Sequence, residues 1–129
     1  MLSLDHTIVP SKDKIAGVQF MSKMLGVEYT GQWGHFAPLK INDTLSFDWD
    51  NKDEFDARHY ALLASDEEFD AILARVQAEG IAYGSGPRSH DDMEINHRHT
   101  GRGFYFQDLD KHLWEVITHT YVDDPGPAR

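Results

Sequence analysis

Apolar positions recur with the period of a helix in two segments of the chain, and runs with the period of a strand flank each of them. In the first segment Ile15, Val18, Met21 and Leu25 fall on one face, Ser11 stands where an N-cap is expected, and Gly26 closes the helix. In the second segment the face is Phe69, Ile72, Leu73 and Val76. Ser65 caps it, Glu68 completes a capping box three residues on, and Gly80 ends it. The two segments keep step at an offset of 54: Ser11 with Ser65, Ile15 with Phe69, Val18 with Ile72, Gly26 with Gly80, Tyr29 with Tyr83. Leu73 and Val76 answer to Gln19 and Ser22, so the first helix is expected to bury a rotated face.

Strand-like runs complete the repeat. "LDHTIVP" and "RHYALLAS" precede the helices and carry His6 and His59, at an offset of 53. "HFAPLKI" and "TLSFDWD" follow the first helix, "GFYFQD" and "HLWEVIT" the second, and the turn formers "ND" and "DLDK" separate the members of each pair. The polar stretch "SGPRSHDDMEINHRHT" reads as a loop. The pattern predicts an α+β fold of two tandem βαβββ modules, about 1–52 and 53–121, within one domain. Their curved mixed sheets are expected to enclose a cavity, with residues 122–129 as a flexible tail.

A chain of 129 residues, 40% hydrophobic and 26% charged, suits one domain with its own core. No apolar run approaches the ~18–20 residues that cross a bilayer, and "MLSLDHTIVP" lacks the basic-then-apolar order of an export signal. A soluble cytoplasmic protein without a membrane partner is expected. Cysteine is absent, which removes disulfides, thiolate nucleophiles and cysteine-based zinc sites. A formal charge of −10 without a basic stripe opposes a phosphate backbone, so no nucleic-acid partner is expected. Eight histidines are the unusual count.

Strand parity gives those histidines a direction. His6 shares a face with Leu2, Leu4 and Ile8, His59 with Ala61 and Leu63, and Glu115 with Leu113 and Ile117. An ionised carboxylate in such a row costs several kcal/mol, on the order of a lost buried hydrogen bond or more, unless it is paired. A lone strand histidine is usually a core residue, and a lone strand glutamate usually an ion-pair partner. Here the first strands of two equivalent modules each carry a histidine and the last strand carries the carboxylate. Together they make a 2-His-1-carboxylate set that leaves metal positions open.

With these residues the chain resembles the vicinal oxygen chelate superfamily, the glyoxalase, bleomycin-resistance and extradiol dioxygenase proteins. "LDHTIV", "RHYALLAS" and "GRGFYFQDLDKHLWEVIT" carry the resemblance over nearly the whole length. The last segment is the most specific, although Leu109 stands where proline is usual and Lys111 where glycine is usual. The resemblance implies paired βαβββ modules, one divalent metal at His6, His59 and Glu115, and a small-molecule substrate. It also implies a homodimer in which two chains can share a site. Tyr105, ten residues before Glu115, falls where dioxygenases and fosfomycin-resistance transferases of the family place a substrate-contacting tyrosine.

The family's metal chelates adjacent substrate oxygens and acts as a Lewis acid. Glyoxalase-type members take a fourth ligand from the last strand of the first module. Aligned with "HLWEVIT", "TLSFDWD" sets Phe47 against Glu115, and Asp48, on the other face, is expected at the pocket rim. Three ligands with open positions favour a dioxygenase-like or a transferase- or lyase-like reaction. His97, His99 and His119 are candidate acid–base histidines, and Arg102 a candidate for orienting an anionic substrate. The metal is left open among Fe(II), Mn(II), Zn(II), Ni(II) and Mg(II). The alternative is a metal-free, drug-sequestering protein of the bleomycin-resistance kind, for which the acidic charge and aromatics such as Trp33, Phe36, Trp49 and Trp114 would serve.

Overall fold

A computed structural model describes residues 1–122, so the expected flexible tail lies, from 123 on, outside the described residues. The element order is β1 (His6–Ser11), α1 (Lys14–Leu25), β2 (Ala37–Asn42), β3 (Leu45–Asn51), β4 (His59–Leu63), α2 (Asp66–Ala78), β5 (Tyr83–Gly84), a 3-10 turn (Arg98–Thr100), β6 (Gly103–Gln107) and β7 (Leu113–Ile117). The chain forms two compact units. Unit 1 is Met1–Arg58 with Asp108–Lys111, and unit 2 is His59–Gln107 with the described residues from His112 on. Each is a sheet with one helix, the mixed α+β, two-module arrangement that the repeat predicts, although unit 1 has two strands after its helix where the βαβββ pattern expects three. Among the described residues no helix is long and apolar enough to cross a membrane.

In unit 1 the strand order is β1-β3-β2, with β1 parallel and β2 antiparallel to β3. A parallel pair needs a crossover, and α1 supplies it. Val9, Ala37, Leu39, Phe47 and Trp49 are buried, as are Val18, Met21 and Met24 of α1. A Cβ on Gly17 would come within 2.8 Å of the Trp49 ring and 2.9 Å of Ser11 Oγ, so the glycine lets α1 close against β1 and β3. That approach decides which face of α1 is buried: Gly17, Val18, Met21 and Met24, with Ile15 and Leu25 only half-buried. The rotation relative to α2 is as expected, but the face differs from the one expected. The cap also differs. Asp13 caps α1, its Oδ1 accepting from the Ile15 and Ala16 N–H groups. Ser11 cannot cap because β1 runs through it, paired with Asn51, and its buried hydroxyl donates to Asp110 Oδ2 at 2.6 Å.

In unit 2 the order is β4-β7-β6-β5, with β4 parallel to β7 and β6 antiparallel to both its neighbours. The Ser65–Glu68 capping box is present as expected, and Phe69, Ile72 and Val76 of α2 are buried. Phe69 meets Phe104 edge-on at 5.1 Å, and Tyr60 lies 4.7 Å from Trp114. Each large apolar side chain buried in this layer contributes roughly 1.5–3 kcal/mol.

The turn between β6 and β7 belongs to unit 1. Asp108 Oδ1 accepts from the Asp110 N–H at 2.9 Å, and Asp110 Oδ1 accepts from the Lys12 N–H at 2.8 Å. Lys111 completes the turn at φ 69°. The left-handed conformation explains why a glycine suits this position. Lys111→Gly is expected to raise stability by about 0.5–1 kcal/mol, seen as a higher unfolding midpoint. An unchanged or lower midpoint would mean that the lysine side chain offsets the strain.

Candidate metal centre

The register of unit 2 sets Glu115 opposite Ala61 on β4 and Tyr105 on β6. Phe104, Phe106, Trp114 and Val116, one residue to either side, are fully buried on the α2 face. His59, Tyr105 and Glu115 therefore share the face turned away from α2. His59 Nε2 lies 3.0 Å from Glu115 Oε1, with the two side chains 50% and 18% exposed, and the His59 and Tyr105 ring centres are 6.0 Å apart. Burial, then the hydrogen bond to Glu115, pushes the Tyr105 phenol up to about 12. The hydroxyl thus keeps its proton and donates a hydrogen bond to Glu115. A folded pKa above the usual value near 10 adds stability that is complete below pH 10 and is lost as pH rises toward 12. Tyr105→Phe is accordingly expected to flatten the decline of the unfolding midpoint over that alkaline range. An equally steep decline in the variant would assign it to other groups.

The His59–Glu115 hydrogen bond also has the spacing of two neighbouring ligands of a divalent metal. Metal bonds to nitrogen and oxygen of roughly 2.0–2.2 Å, meeting near a right angle, put their donor atoms about 3 Å apart. A neutral imidazole and a carboxylate are also the donors such an ion prefers. Among the described residues no group of three or more histidine, aspartate or glutamate side chains is gathered to hold a metal ion. His59 and Glu115 are in unit 2, and His6 is in unit 1.

In unit 1, β1 and β3 pair His6 with Ser46 and Ile8 with Asp48, just as β4 and β7 pair His59 with Leu113 and Ala61 with Glu115. The internal counterpart of Glu115 is therefore Asp48, one residue past the Phe47 of the ungapped alignment. His6 and Asp48 share a face as His59 and Glu115 do. They line a cavity of about 320 Å³ together with Asp5, Trp33, Phe36, Pro38 and Ser46. Asp48 Oδ1 accepts from Ser46 Oγ at 2.8 Å. The His6 pKa is raised, first by the hydrogen bond of Nδ1 to Asp5 at 2.8 Å and then by the Asp48 charge. Trp33, 75% exposed, stands on a tight turn closed by two backbone hydrogen bonds with Phe36. Lys14 braces that turn through the His35 carbonyl, and Asp50 through the His35 ring.

The loop after β5 folds back on the sheet of unit 2. A Cβ on Gly84 would overlap the Ser89 carbonyl oxygen, so only glycine lets the loop lie this close. Backbone bonds from Met93 to Tyr83 and between Asn96 and Gly103 pin the loop, and Asp92 accepts from the Ser85 N–H. The loop delivers Arg98, whose Nη1 lies 3.5 Å from Tyr105 Oη. Sequence reasoning weighed its neighbours and passed over Arg98; nothing in strand or helix periodicity marks a loop residue. His97 is exposed, and His99 takes φ 56° with its ring 5.9 Å from that of Tyr121. His119 is exposed. Arg102 lies over the Phe69 ring and pairs with Asp66 and Asp70 at 2.8 and 2.7 Å, so its charge serves the start of α2.

No protein-family model matches this chain. The structure of an oxidase, ChaP-H2, is 37% identical with a TM-score of 0.89, covering 94% of this chain and 96% of that one. The glutathione transferase FosA of Serratia marcescens is 27% identical over 121 residues, 88% of this chain and 79% of the relative. The fosfomycin-resistance protein FosX of Listeria monocytogenes shares the fold at a TM-score of 0.71 and 23% identity, covering 93% of this chain and 95% of that one. With these relatives and its two helix-on-sheet modules, the chain belongs to the vicinal oxygen chelate superfamily.

Proposed function

We propose that the protein is a divalent-metal-dependent oxidoreductase that acts on a small organic substrate through adjacent oxygen atoms. One observation carries the reading: His59 and Glu115 stand at the spacing of neighbouring metal ligands on an open sheet face, beside a tyrosine that keeps its proton. His6 is the third ligand, and Fe(II) is the first metal to test, ahead of Mn(II), Zn(II), Ni(II) and Mg(II). The likeness to a protein named as an oxidase favours oxidation over group transfer. When bound, such a metal polarises adjacent oxygens and leaves positions for substrate and dioxygen. Glu115 supplies the anionic donor. Tyr105 holds that carboxylate from the side and offers a neutral hydroxyl to the substrate. Trp33 and Asp48, which line a cavity with His6, are the proposed walls for the substrate body.

The working form is a homodimer in which His6 of one chain completes the His59–Glu115 pair of the other. Supporting this, His6 stands among Leu2, Leu4 and Ile8, exposed to 100%, 63% and 47%, apolar surface that a second copy would cover. The test is metal analysis and oxygen uptake with catechol for anaerobically prepared, tag-free protein, beside His6→Ala, His59→Ala and Glu115→Ala. Metal in the native protein and none in the variants supports the reading. No metal in any of them returns the drug-sequestering alternative. Mixing unfolded His6→Ala and Glu115→Ala chains and refolding them together regenerates about a quarter of the sites if chains share them, and none if each site lies within one chain. The likeness to a glutathione transferase supports a second reading, tested in the same preparation with glutathione and fosfomycin.

A further inference from the structure

We propose that Arg98 selects an anionic substrate, its guanidinium meeting a carboxylate or similar oxyanion that lies across the Tyr105 hydroxyl. The proposal rests on the site described above and adds the charge of its substrate. Three observations lead to it.

First, Arg98 has no carboxylate partner among the described residues. Among the described residues its only side-chain hydrogen bond is the long one to the Tyr105 hydroxyl. Acidic residues outnumber basic ones 22 to 12 in this chain. Arg102, four residues on, has two carboxylates. A guanidinium carries five donors in a fixed fork that suits a planar oxyanion, and one hydroxyl leaves most of them unused.

Second, the backbone holds Arg98 in place rather than leaving it on a loose loop. Its N–H donates to Asn96 Oδ1 at 3.2 Å. Asn96 in turn pairs with Gly103 at the start of β6 and donates through Nδ2 to the Ser85 carbonyl at 3.0 Å. The residues that follow, His99 and Thr100, take φ values of 56° and 61°. A β-branched residue there costs on the order of 1–3 kcal/mol, strain that persists where the surrounding contacts over-determine it.

Third, the guanidinium addresses the same hydroxyl that Glu115 does. The Tyr105 hydroxyl is in contact with both Glu115 and Arg98, so an anion at Arg98 lies one phenol away from the proposed metal ligands. A substrate with adjacent oxygens at one end and a negative charge at the other would be gripped at both.

The test compares catechol with 3,4-dihydroxybenzoate, which differs by one carboxylate, in calorimetric titrations of the Mn(II)-loaded protein. The wild type is expected to bind the carboxylate-bearing probe at least tenfold more tightly. Arg98→Ala is expected to remove that preference while catechol affinity and manganese content stay unchanged, and Arg98→Lys to retain part of it. An equal preference in Arg98→Ala, or none in the wild type, overturns the proposal. A metal-free arm keeps it separable from the metal reading. In protein stripped of metal, 3,4-dihydroxybenzoate but not catechol is expected to slow modification of Arg98 by phenylglyoxal, read by peptide mass spectrometry with Arg102 as internal control. Equal labelling with both probes rejects Arg98 even if manganese binds. Protection without manganese binding upholds Arg98 and rejects the metal centre.

Discussion

Glu115→Gln is expected to cut Mn(II) or Fe(II) affinity by about a hundredfold or more and to abolish turnover, while the protein stays folded. An amide of the same shape keeps the packing and removes the charge that a divalent ion needs, and loss even of an outer partner of a metal ligand costs roughly 10–100-fold. The fold is not expected to suffer. Glu115 is 18% exposed in a row with Ala61 and Tyr105, where its carboxyl group contacts one imidazole and one phenol. The variant's unfolding midpoint is therefore expected to equal or exceed that of the wild type without metal. A midpoint several degrees lower, with metal content unchanged, would make the His59–Glu115 pair a structural ion pair and remove the metal centre.

The second large effect is expected at Gly84, which has no side chain of its own. A methyl group there would overlap the backbone of Ser89 and His90, and backbone cannot swing aside as a side-chain tip can. Gly84→Ala is expected to cost about 2–3 kcal/mol, measured by chemical denaturation. Because Gly84 pairs with Tyr105 across β5 and β6, the displaced loop also carries Arg98 away from the Tyr105 hydroxyl. Binding of anionic probes should weaken at least tenfold while metal content is kept. Wild-type stability in this variant would show that the loop does not rest on the sheet as described.

The two modules, both helices and the face of each strand were legible because each rests on a local rule. Ser65 and Glu68 cap α2 through a spacing of three, and alternation alone puts Glu115 and Trp114 on opposite faces. Strand pairing was harder to read. An ungapped alignment set Phe47 against Glu115, whereas the register equates Asp48 with it. The two modules have connections of different length before their last strands, and sequence offset does not measure them. Ser11 misled for a related reason: a hydroxyl before a helix reads as a cap, but this one is still inside β1 and is held by Asp110, which is 99 residues away in sequence. Arg98 could not be found in advance, because its contact with Tyr105 depends on a loop whose path is set by Gly84 and Asn96.

The placement of Glu115 between Trp114 and Val116 has a consequence for how the chain reaches its fold. A slip of one residue between β7 and its neighbours would turn the carboxylate into the layer beneath α2 and expose an indole in its place. Burying that charge without a partner costs several kcal/mol, more than most single packing errors. The residue proposed to hold the metal is thus also expected to disfavour misaligned pairings during folding, before any metal arrives. Replacing it with leucine would remove that penalty, so such a chain is expected to refold with more misaligned, aggregation-prone product even where its native state is more stable.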